Sequence, residues 1–395
     1  MAATSMKIIL SVDSVRYPLT GIGRYTYELA SALQMRSDLS LLMLSGDRLV
    51  ATLTSDRSDP QSAQDMPRSL SQAIYRRLRR SRTAVETAKA LKDALAKHSL
   101  RKHKGAIFHG TNFYLGDYNG PSVATFHDIS VFTFAHYHPP ERVSFMQRQM
   151  KITMDRADML ITVSNSARKE IACYFGYPLE KIRAIPLGCS DAFRPRATSE
   201  TRSVLERYGL EHGRYVLFTG TVEPRKNIEG LLDAYSALPE QLRTNYPLVI
   251  AGFQGWKSER LHARIAAAAN AGWARYLGYA RGEDLPLLYA GAHLFIFPSH
   301  YEGFGLPVLE SMASGVPVVC SSSSSLPEVV GDAALTCKPE DTDGLRELIR
   351  RGLDDTQWRL GARARGLKRA AEFSWHRCAE QTVEVYRQLQ AGAQA

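Results

Sequence analysis

The sequence has few cysteines, and their spacing fits neither a metal cluster nor a disulfide framework. Among 395 residues there are five cysteines, and no Cys-x-x-Cys pair occurs. An odd number of scattered cysteines argues against a structure stapled by disulfides or zinc. We therefore interpret them as reduced packing residues.

Long hydrophobic runs are also missing. No stretch approaches the roughly 18–20 apolar residues that cross a bilayer, and the N-terminus lacks the regions of a signal peptide. We therefore expect a cytoplasmic protein that can still attach to the inner face of the cytoplasmic membrane. The 44% of hydrophobic and 23% of charged residues are typical of globular chains, and this length favours two or three domains.

Aromatic residues are scarce where the positive charge is concentrated. Residues 68–104 contain twelve Lys and Arg residues and two acidic ones, which accounts for the whole formal net charge of +10. Tyr75 is the only aromatic residue of this segment, so it lacks the stacking platform of a nucleic-acid binder. Apolar residues at helical spacing among the arginines favour contact with an anionic membrane, with a solvated helix face as the alternative.

Short β-branched runs alternate with longer amphipathic stretches, a pattern typical of parallel sheets covered by helices. The pattern predicts an α/β fold with two similar series of six strands. The predicted strands of the first series are Lys7–Val12, Leu39–Leu44, Ala106–Phe108, Ser122–Phe126, Met159–Val163 and Ile182–Ile185. Those of the second series are Tyr215–Thr219, Leu248–Ala251, Ala274–Leu277, His293–Phe297, Val318–Cys320 and Ala334–Thr336. A polar stretch after Pro195 predicts a first domain at 1–192 and a second at 193–373.

Two carboxylates flank a glycine-rich loop in the second half. Glu302 precedes Gly303 and Gly305, and Glu310 follows within a predicted helix. Glycines let the backbone approach a ligand closely, and the free N–H groups at a helix start suit a diphosphate. The carboxylates could then accept hydrogen bonds from sugar hydroxyls. An acidic helix turn that binds nothing is the alternative.

An Arg225–Lys226 pair follows the predicted strand that ends at Thr219. A planar guanidinium fork beside an ammonium point charge can face a diphosphate and take the part that a metal ion plays elsewhere. A surface turn with two solvated bases is the alternative.

Gly21 and Gly23 lie after the first strand, at the start of a predicted helix. No third glycine follows at the spacing of a dinucleotide fingerprint, so NAD binding is disfavoured. Gly23 is the residue of this turn that we expect to lie nearest a phosphate or sugar, unless the turn is purely structural.

His127 and Asp128 follow the predicted strand Ser122–Phe126. We expect His127 to donate a hydrogen bond to a sugar hydroxyl and Asp128 to serve as an orienting or acceptor-side carboxylate. A structural histidine at a strand end is the alternative.

Together these motifs resemble those of the GT-B glycosyltransferases of family 4, the retaining glycosyl transferases group 1. The resemblance covers about residues 6–390. It implies two Rossmann-like domains that face each other across a cleft, with a helix at 374–390 that packs back on the first domain. It also implies a retaining hexosyltransferase that needs no metal or other cofactor, similar to bacterial O-antigen and polysaccharide mannosyl- and rhamnosyltransferases.

The resemblance further implies a nucleotide sugar donor, GDP-mannose or GDP-D-rhamnose, and a lipid-linked oligosaccharide acceptor. The catalytic residues would be His127, Arg225, Lys226 and Glu302. The donor would be bound by Gly23, Tyr279, Gly303, Phe304, Gly305, Leu306 and Glu310. Asp128 and Arg24 would lie on the acceptor side. The remaining alternatives are a sugar-nucleotide epimerase, a phosphorylase and a basic binding protein without enzymatic activity.

Overall fold

A computed structural model describes residues 5–46, 48–53, 100–103 and 105–392, and within these ranges the chain forms two separate β-sheets. The first sheet contains seven strands in this part of the chain: β1 (Met6–Ser11), β2 (Leu39–Ser45), β3 (Arg48–Val50), β4 (Ile107–Gly110), β5 (Ser122–Phe126), β6 (Met159–Thr162) and β7 (Ile182–Ala184). Their order is β3-β2-β1-β4-β5-β6-β7, and all neighbours are parallel except β2 and β3.

The second sheet is parallel throughout the strands that the structure describes, in the order β10-β9-β8-β11-β12-β13. Its strands are β8 (Val216–Thr219), β9 (Leu248–Ala251), β10 (Ala274–Gly278), β11 (Leu294–Phe297), β12 (Val318–Ser321) and β13 (Ala334–Cys337). β8, β9, β11 and β12 are buried at every position, which explains their continuous apolar runs. The α/β prediction is therefore confirmed, and each of the twelve predicted strands is present.

Helices separate most of the strands, as parallel connections require. Their bounds are α1 (Gly21–Gln34), α2 (Ser130–Thr133), α3 (Pro140–Arg156), α4 (Asn165–Phe175), α5 (Thr198–Arg207), α6 (Ile228–Ser236), α7 (Glu240–Asn245), α8 (Glu259–Asn270), α9 (Leu285–Ala290), α10 (Leu306–Ala313), α11 (Leu326–Val330), α12 (Thr342–Asp354), α13 (Thr356–Ala370) and α14 (Trp375–Gly392). In the described part of the chain, none of them combines the length and apolarity that a bilayer span requires. The basic segment at 68–104 lies outside the described residues except for 100–103.

The C-terminal helix α14 returns to the first sheet, as predicted. It packs against α1, β4 and β6 and buries Trp375, Val383 and Tyr386 there. The chain passes between the two halves twice, near Gly188 and near Trp375, and the backbone is in close contact at these two points. A Cβ on Gly188 would lie 2.1 Å from the backbone nitrogen of Trp375. Only glycine permits this approach. The predicted boundary between residues 192 and 193 lies between β7 and β8 and stays a prediction.

Candidate active site

The candidate site lies where the strand ends of the two sheets meet. The loops after β8, β11 and β12 come from the second half, and those after β5 and β6 come from the first. Ligands of open α/β sheets bind beyond the carboxyl ends of the strands, so this seam is the expected position of a cleft. Most of the residues singled out in the sequence lie in these loops or in the helices that follow them.

Arg225 and Lys226 form the cationic side of the site. They lie in a 3₁₀ turn, Pro224–Lys226, which directly precedes α6. Asn227 ends the turn in a left-handed conformation, and its side-chain amide donates to the carbonyl oxygens of Pro298 (3.1 Å) and Pro339 (2.7 Å). These bonds fix the turn beside the loop that follows β11.

Glu302 pairs with both cations. Its Oε1 lies 2.6 Å from Nζ of Lys226, and its Oε2 lies 3.2 Å from Nη1 of Arg225. The other guanidinium nitrogen, Nη2, donates to Oε1 of Glu223 at 2.7 Å. The sequence separates Glu302 from the two cations by more than seventy residues, yet the structure places all four side chains in one cluster, in which Glu223, Lys226 and Glu302 are buried and Arg225 is partly exposed.

Ion pairing opposes the cost of burying the charges of this cluster. Burial by itself would raise the pKa of Glu302, but Lys226 and Arg225 lower it to about 2. Burial lowers the pKa of the Lys226 ammonium, and Glu302 opposes that shift. For Arg225, burial acts against the charged form, but Glu302 and Glu223 outweigh it and raise the pKa. Two cations are therefore paired with two carboxylates.

Glu310 occupies a different environment from Glu302. It lies on α10, which carries no side-chain cap at its N-terminus. Burial raises the pKa of the Glu310 carboxyl to about 7, although Arg24 of α1 and the hydroxyl of Tyr289 act in the opposite direction. Arg24 and Glu310 thus belong to different halves of the chain and interact across the seam.

Backbone atoms of the two halves touch at Gly303. A Cβ at this position would lie 2.1 Å from the carbonyl oxygen of His127, so a side chain would force the halves apart. The hydroxyl of Ser164, at the start of α4, donates to the carbonyl oxygen of Gly303 at 2.8 Å. The glycine-rich loop is therefore held directly against the loops that follow β5 and β6.

His127 is buried, and its ring is oriented by its surroundings. Nε2 lies 2.9 Å from the carbonyl oxygen of Thr111, and the rings of Tyr25 and Phe113 meet the imidazole edge to face. Burial lowers the pKa of His127. A carbonyl oxygen can only accept, so the neutral ring carries its proton on Nε2 and presents Nδ1 as an acceptor. The expectation that His127 donates to a sugar hydroxyl is therefore corrected: the donor nitrogen is already engaged.

Tyr301 and Glu170 belong to the site although the sequence analysis missed both. The hydroxyl of Tyr301 donates to the carboxylate of Glu170 on α4, and its carbonyl oxygen accepts from Nη1 of Arg225 at 2.6 Å. Burial raises the pKa of Glu170. The position of Tyr301 directly before Glu302 was a signal for its inclusion, whereas Glu170 has no local motif.

The remaining predicted residues lie around this centre. Asp128 accepts from the backbone N–H of Ser130 at 2.8 Å, which fixes the start of α2. Gly23 faces the carbonyl oxygen of Ser14, and Tyr279 stacks on Phe253 just after β10. Phe304 is buried against Phe373, while Gly305 and Leu306 begin α10. Their contacts with a donor stay predictions.

Both halves of the chain match descriptions of known families. Residues 205–372 match "Glycosyl transferases group 1", and residues 19–193 match "Glycosyltransferase Family 4". The O-antigen chain mannosyltransferase B of Escherichia coli is 43% identical over 384 residues, which is 97% of this chain and 100% of that protein. The serotype-specific mannosyltransferase WbdA of E. coli is 33% identical over 246 residues, 61% of this chain and 30% of WbdA.

Solved structures share the fold. WaaG, a glycosyltransferase involved in lipopolysaccharide biosynthesis, has a TM-score of 0.67 at 14% identity and covers 96% of this chain, which covers 99% of WaaG. Anabaena Alr3699/HepE in complex with UDP and glucose has a TM-score of 0.69 at 16% identity, with coverage of 97% and 100%.

Two domains with largely parallel sheets that meet at their strand ends form the GT-B fold, which these solved glycosyltransferases share. Together with the full-length relative and the two family matches, this architecture places the protein more narrowly: the chain belongs to family 4 of the glycosyltransferases, the glycosyl transferases group 1.

Proposed function

We propose that this chain is a retaining, metal-independent mannosyltransferase that extends a lipid-linked O-antigen polysaccharide from GDP-mannose. GDP-D-rhamnose is the alternative donor. The names of the E. coli relatives support mannosyl transfer to an O-antigen chain. The observation that carries the chemistry is the cluster of ion pairs among Arg225, Lys226 and Glu302 at the seam.

The leaving group accounts for the two cations. When the bond between the anomeric carbon and the phosphate oxygen breaks, its electron pair stays on the diphosphate while the sugar becomes oxocarbenium-like. Arg225 and Lys226 would stabilise the developing negative charge from fixed positions in a site that excludes water. This electrostatic role is the one that a divalent cation plays in other transferases, so we expect activity to survive chelation.

Glu302 would change partners when the donor binds. In the structure its carboxylate pairs with Lys226 and Arg225. A diphosphate bound to the same two cations would take over that role and leave the carboxylate to accept hydrogen bonds from hexose hydroxyls. Glu310, on the next helix, would bind the ribose hydroxyls in the same manner.

Retention of configuration would follow from attack on the face that the diphosphate leaves. The leaving phosphate oxygen would take the proton of the acceptor hydroxyl as the new glycosidic bond forms, so no separate protein base is needed. His127 would contact the transferred sugar near its reacting carbon, with Nδ1 accepting a hydrogen bond from a hydroxyl. Asp128 and Arg24 would lie on the acceptor side.

The test is acceptor-dependent release of nucleotide. GDP-mannose, GDP-D-rhamnose, UDP-glucose and dTDP-rhamnose are supplied with and without a lipid-linked oligosaccharide acceptor, in the presence of EDTA. We expect GDP release and chain extension only when the GDP-sugar and the acceptor are both present. Replacement of Arg225 and Lys226 by Ala should lower kcat by about 10²-fold or more. Loss of activity in EDTA, or full activity of the double variant, would overturn the proposal, and isomerisation of the donor without acceptor would indicate an epimerase.

The acceptor is lipid-linked in this proposal, so a membrane contact is expected at residues 68–104. Replacement of Arg76, Arg77, Arg79 and Arg80 by Gln should release the protein from vesicles that contain anionic phospholipid. Sedimentation with vesicles measures this, with neutral vesicles as the control. Undiminished sedimentation of the variant would count against the contact.

A further inference from the structure

A buried network of polar side chains connects the C-terminal helix to His127. The hydroxyl of Tyr386, on α14, lies 2.6 Å from Nδ1 of His109, and Nε2 of His109 lies 2.8 Å from the hydroxyl of Thr125. The Thr125 hydroxyl lies 2.9 Å from that of Tyr25 on α1. The network ends at the ring of Tyr25, which meets the His127 imidazole edge to face with the ring centroids 5.0 Å apart.

Complete burial makes this network of side chains rigid. Tyr386, His109 and Thr125 are 0% exposed, and Tyr25 is 1% exposed. Burial lowers the pKa of His109 to about 3, with a smaller contribution from His127, so the His109 ring is neutral. One ring nitrogen then donates and the other accepts, and each hydrogen bond fixes the side chain that follows it. Removal of one hydroxyl from the network leaves its buried hydrogen-bond partner unpaired.

His127 depends on these neighbours for its orientation. Its one hydrogen bond among the described residues joins Nε2 to the carbonyl oxygen of Thr111. A single bond leaves the imidazole plane free to turn about that contact, and the rings of Tyr25 and Phe113 restrict this rotation. The hydroxyl of Tyr25 in turn ties its ring to Thr125.

We propose that Tyr386, His109, Thr125 and Tyr25 are positioning residues for His127: the C-terminal helix holds the imidazole so that Nδ1 is presented to the transferred sugar. This inference rests on the proposed function, in which His127 contacts that sugar. It extends the site to a helix that belongs to the other end of the chain.

Tyr386→Phe tests the proposal, because it removes one hydroxyl and keeps the ring. We expect kcat to fall about 10-fold while KM for the donor stays within about 2-fold, since the donor phosphates bind elsewhere. Tyr215→Phe is the matched control: Tyr215 is also 0% exposed and its hydroxyl donates to the carbonyl oxygen of Leu288 at 2.5 Å, in the second half. The control should lose thermal stability without the selective loss of kcat.

Two further comparisons separate positioning from stability. Thr125→Val should lower kcat as Tyr386→Phe does, whereas Thr125→Ser keeps the hydroxyl and should retain activity. In a His127→Ala background, Tyr386→Phe should have no additional effect on kcat. A wild-type kcat in Tyr386→Phe, or an equal loss in both backgrounds, overturns the inference. A wild-type kcat in His127→Ala overturns instead the role of His127 in the proposed function.

Discussion

Glu302 and Glu310 belong to one short motif but differ in their protonation behaviour. Two nearby cations lower the pKa of Glu302 to about 2, so this carboxylate is charged at any physiological pH. Burial raises the pKa of Glu310 to about 7, so it titrates near neutrality. In the proposed function Glu302 balances the two cations, whereas Glu310, which already faces Arg24 and Tyr289, accepts hydrogen bonds from the ribose.

The Glu310 carboxyl should make the ligand-free protein less stable at higher pH. Its pKa is raised from 4.5 to about 7 on folding, so the folded state binds the proton more tightly between these values. Stability therefore falls as pH rises through this window, by at most about 3 kcal/mol. Glu310→Gln removes the effect, and we expect the variant to be more stable than the wild type at pH 8 but not at pH 5.

Thermal unfolding at the two pH values measures this difference. Glu206→Gln is the control, because it removes an exposed carboxyl group on α5 and leaves the buried carboxyl of Glu310 in place. Equal stability of Glu310→Gln and the wild type at pH 8 would contradict the prediction.

Local motifs predicted only part of the site. Arg225, Lys226, Glu302 and Glu310 were found because each lies in a short segment with a recognisable spacing. The bond between Tyr301 and Glu170 joins residues 131 positions apart, and no local pattern indicates such a pair. The tautomer of His127 was also not predictable, because the carbonyl group of Thr111 that fixes it is 16 residues away in the sequence.

Among the elements, the glycine-rich loop between β11 and α10 controls how closely the two halves approach. We predict that Gly303→Ala opens the cleft, because its Cβ would lie 2.1 Å from the carbonyl oxygen of His127. In the proposed function GDP binds the second half, so its affinity should change little, whereas transfer should fall at least about 10-fold. Small-angle scattering and GDP titration measure the two effects.

Gly282→Ala is the matched control for this substitution. A Cβ at Gly282 would meet no atom within 4 Å, so the variant should keep the scattering profile and the activity of the wild type. Normal transfer by Gly303→Ala would show that the contact with His127 is not needed in the active conformation.

The loop between β9 and α8 forms a second contact between the halves. Nε1 of Trp256 donates to the carbonyl oxygen of Tyr137 at 2.6 Å, and the guanidinium of Arg142 lies 4.8 Å from the centre of a Trp256 ring. Lys257 donates to the carbonyl oxygen of His136 at 2.8 Å. These contacts lie between elements that follow β5 and β9, so they help to close the seam.

We predict that Trp256→Ala increases hydrolysis of the donor relative to transfer. A cleft that closes less completely admits water, which competes with the acceptor for the oxocarbenium-like sugar. Free mannose and extended acceptor are quantified from the same reaction. Lys257→Met removes only a solvent-exposed bond and should change the ratio less, and an unchanged ratio in Trp256→Ala would argue against a closing role.

Most elements were predictable because their signals are local. Fully buried strands such as β8 and β9 appear in the sequence as short apolar runs, and all twelve predicted strands are present. The missed strand β3 is a three-residue antiparallel edge strand that begins with the exposed Arg48. Its pairing with β2 follows from a turn and not from an apolar pattern, so periodicity could not indicate it.

At the scale of the whole molecule, the chain runs from the first half to the second and then back. Trp375 and Tyr386 of α14 are buried against the first half, together with Val383, although they follow the whole second half in sequence. Two-domain chains commonly unfold in separate steps. Here the first half lacks part of its core unless the returning helix is in place, and the second half is joined to it at the seam through Gly303, Tyr301 and Trp256.

We therefore predict that the protein unfolds in one calorimetric transition and that GDP shifts all of it. GDP binds the second half in the proposed function, and at about 100 times its dissociation constant it should add roughly 2.7 kcal/mol to the stability. Because α14 and the seam couple the halves, tryptophan fluorescence and helical circular dichroism should report the same increase in Tm. Two resolved transitions, of which GDP moves only one, would mean that the returning helix detaches from the first half independently and that the halves fold as separate units.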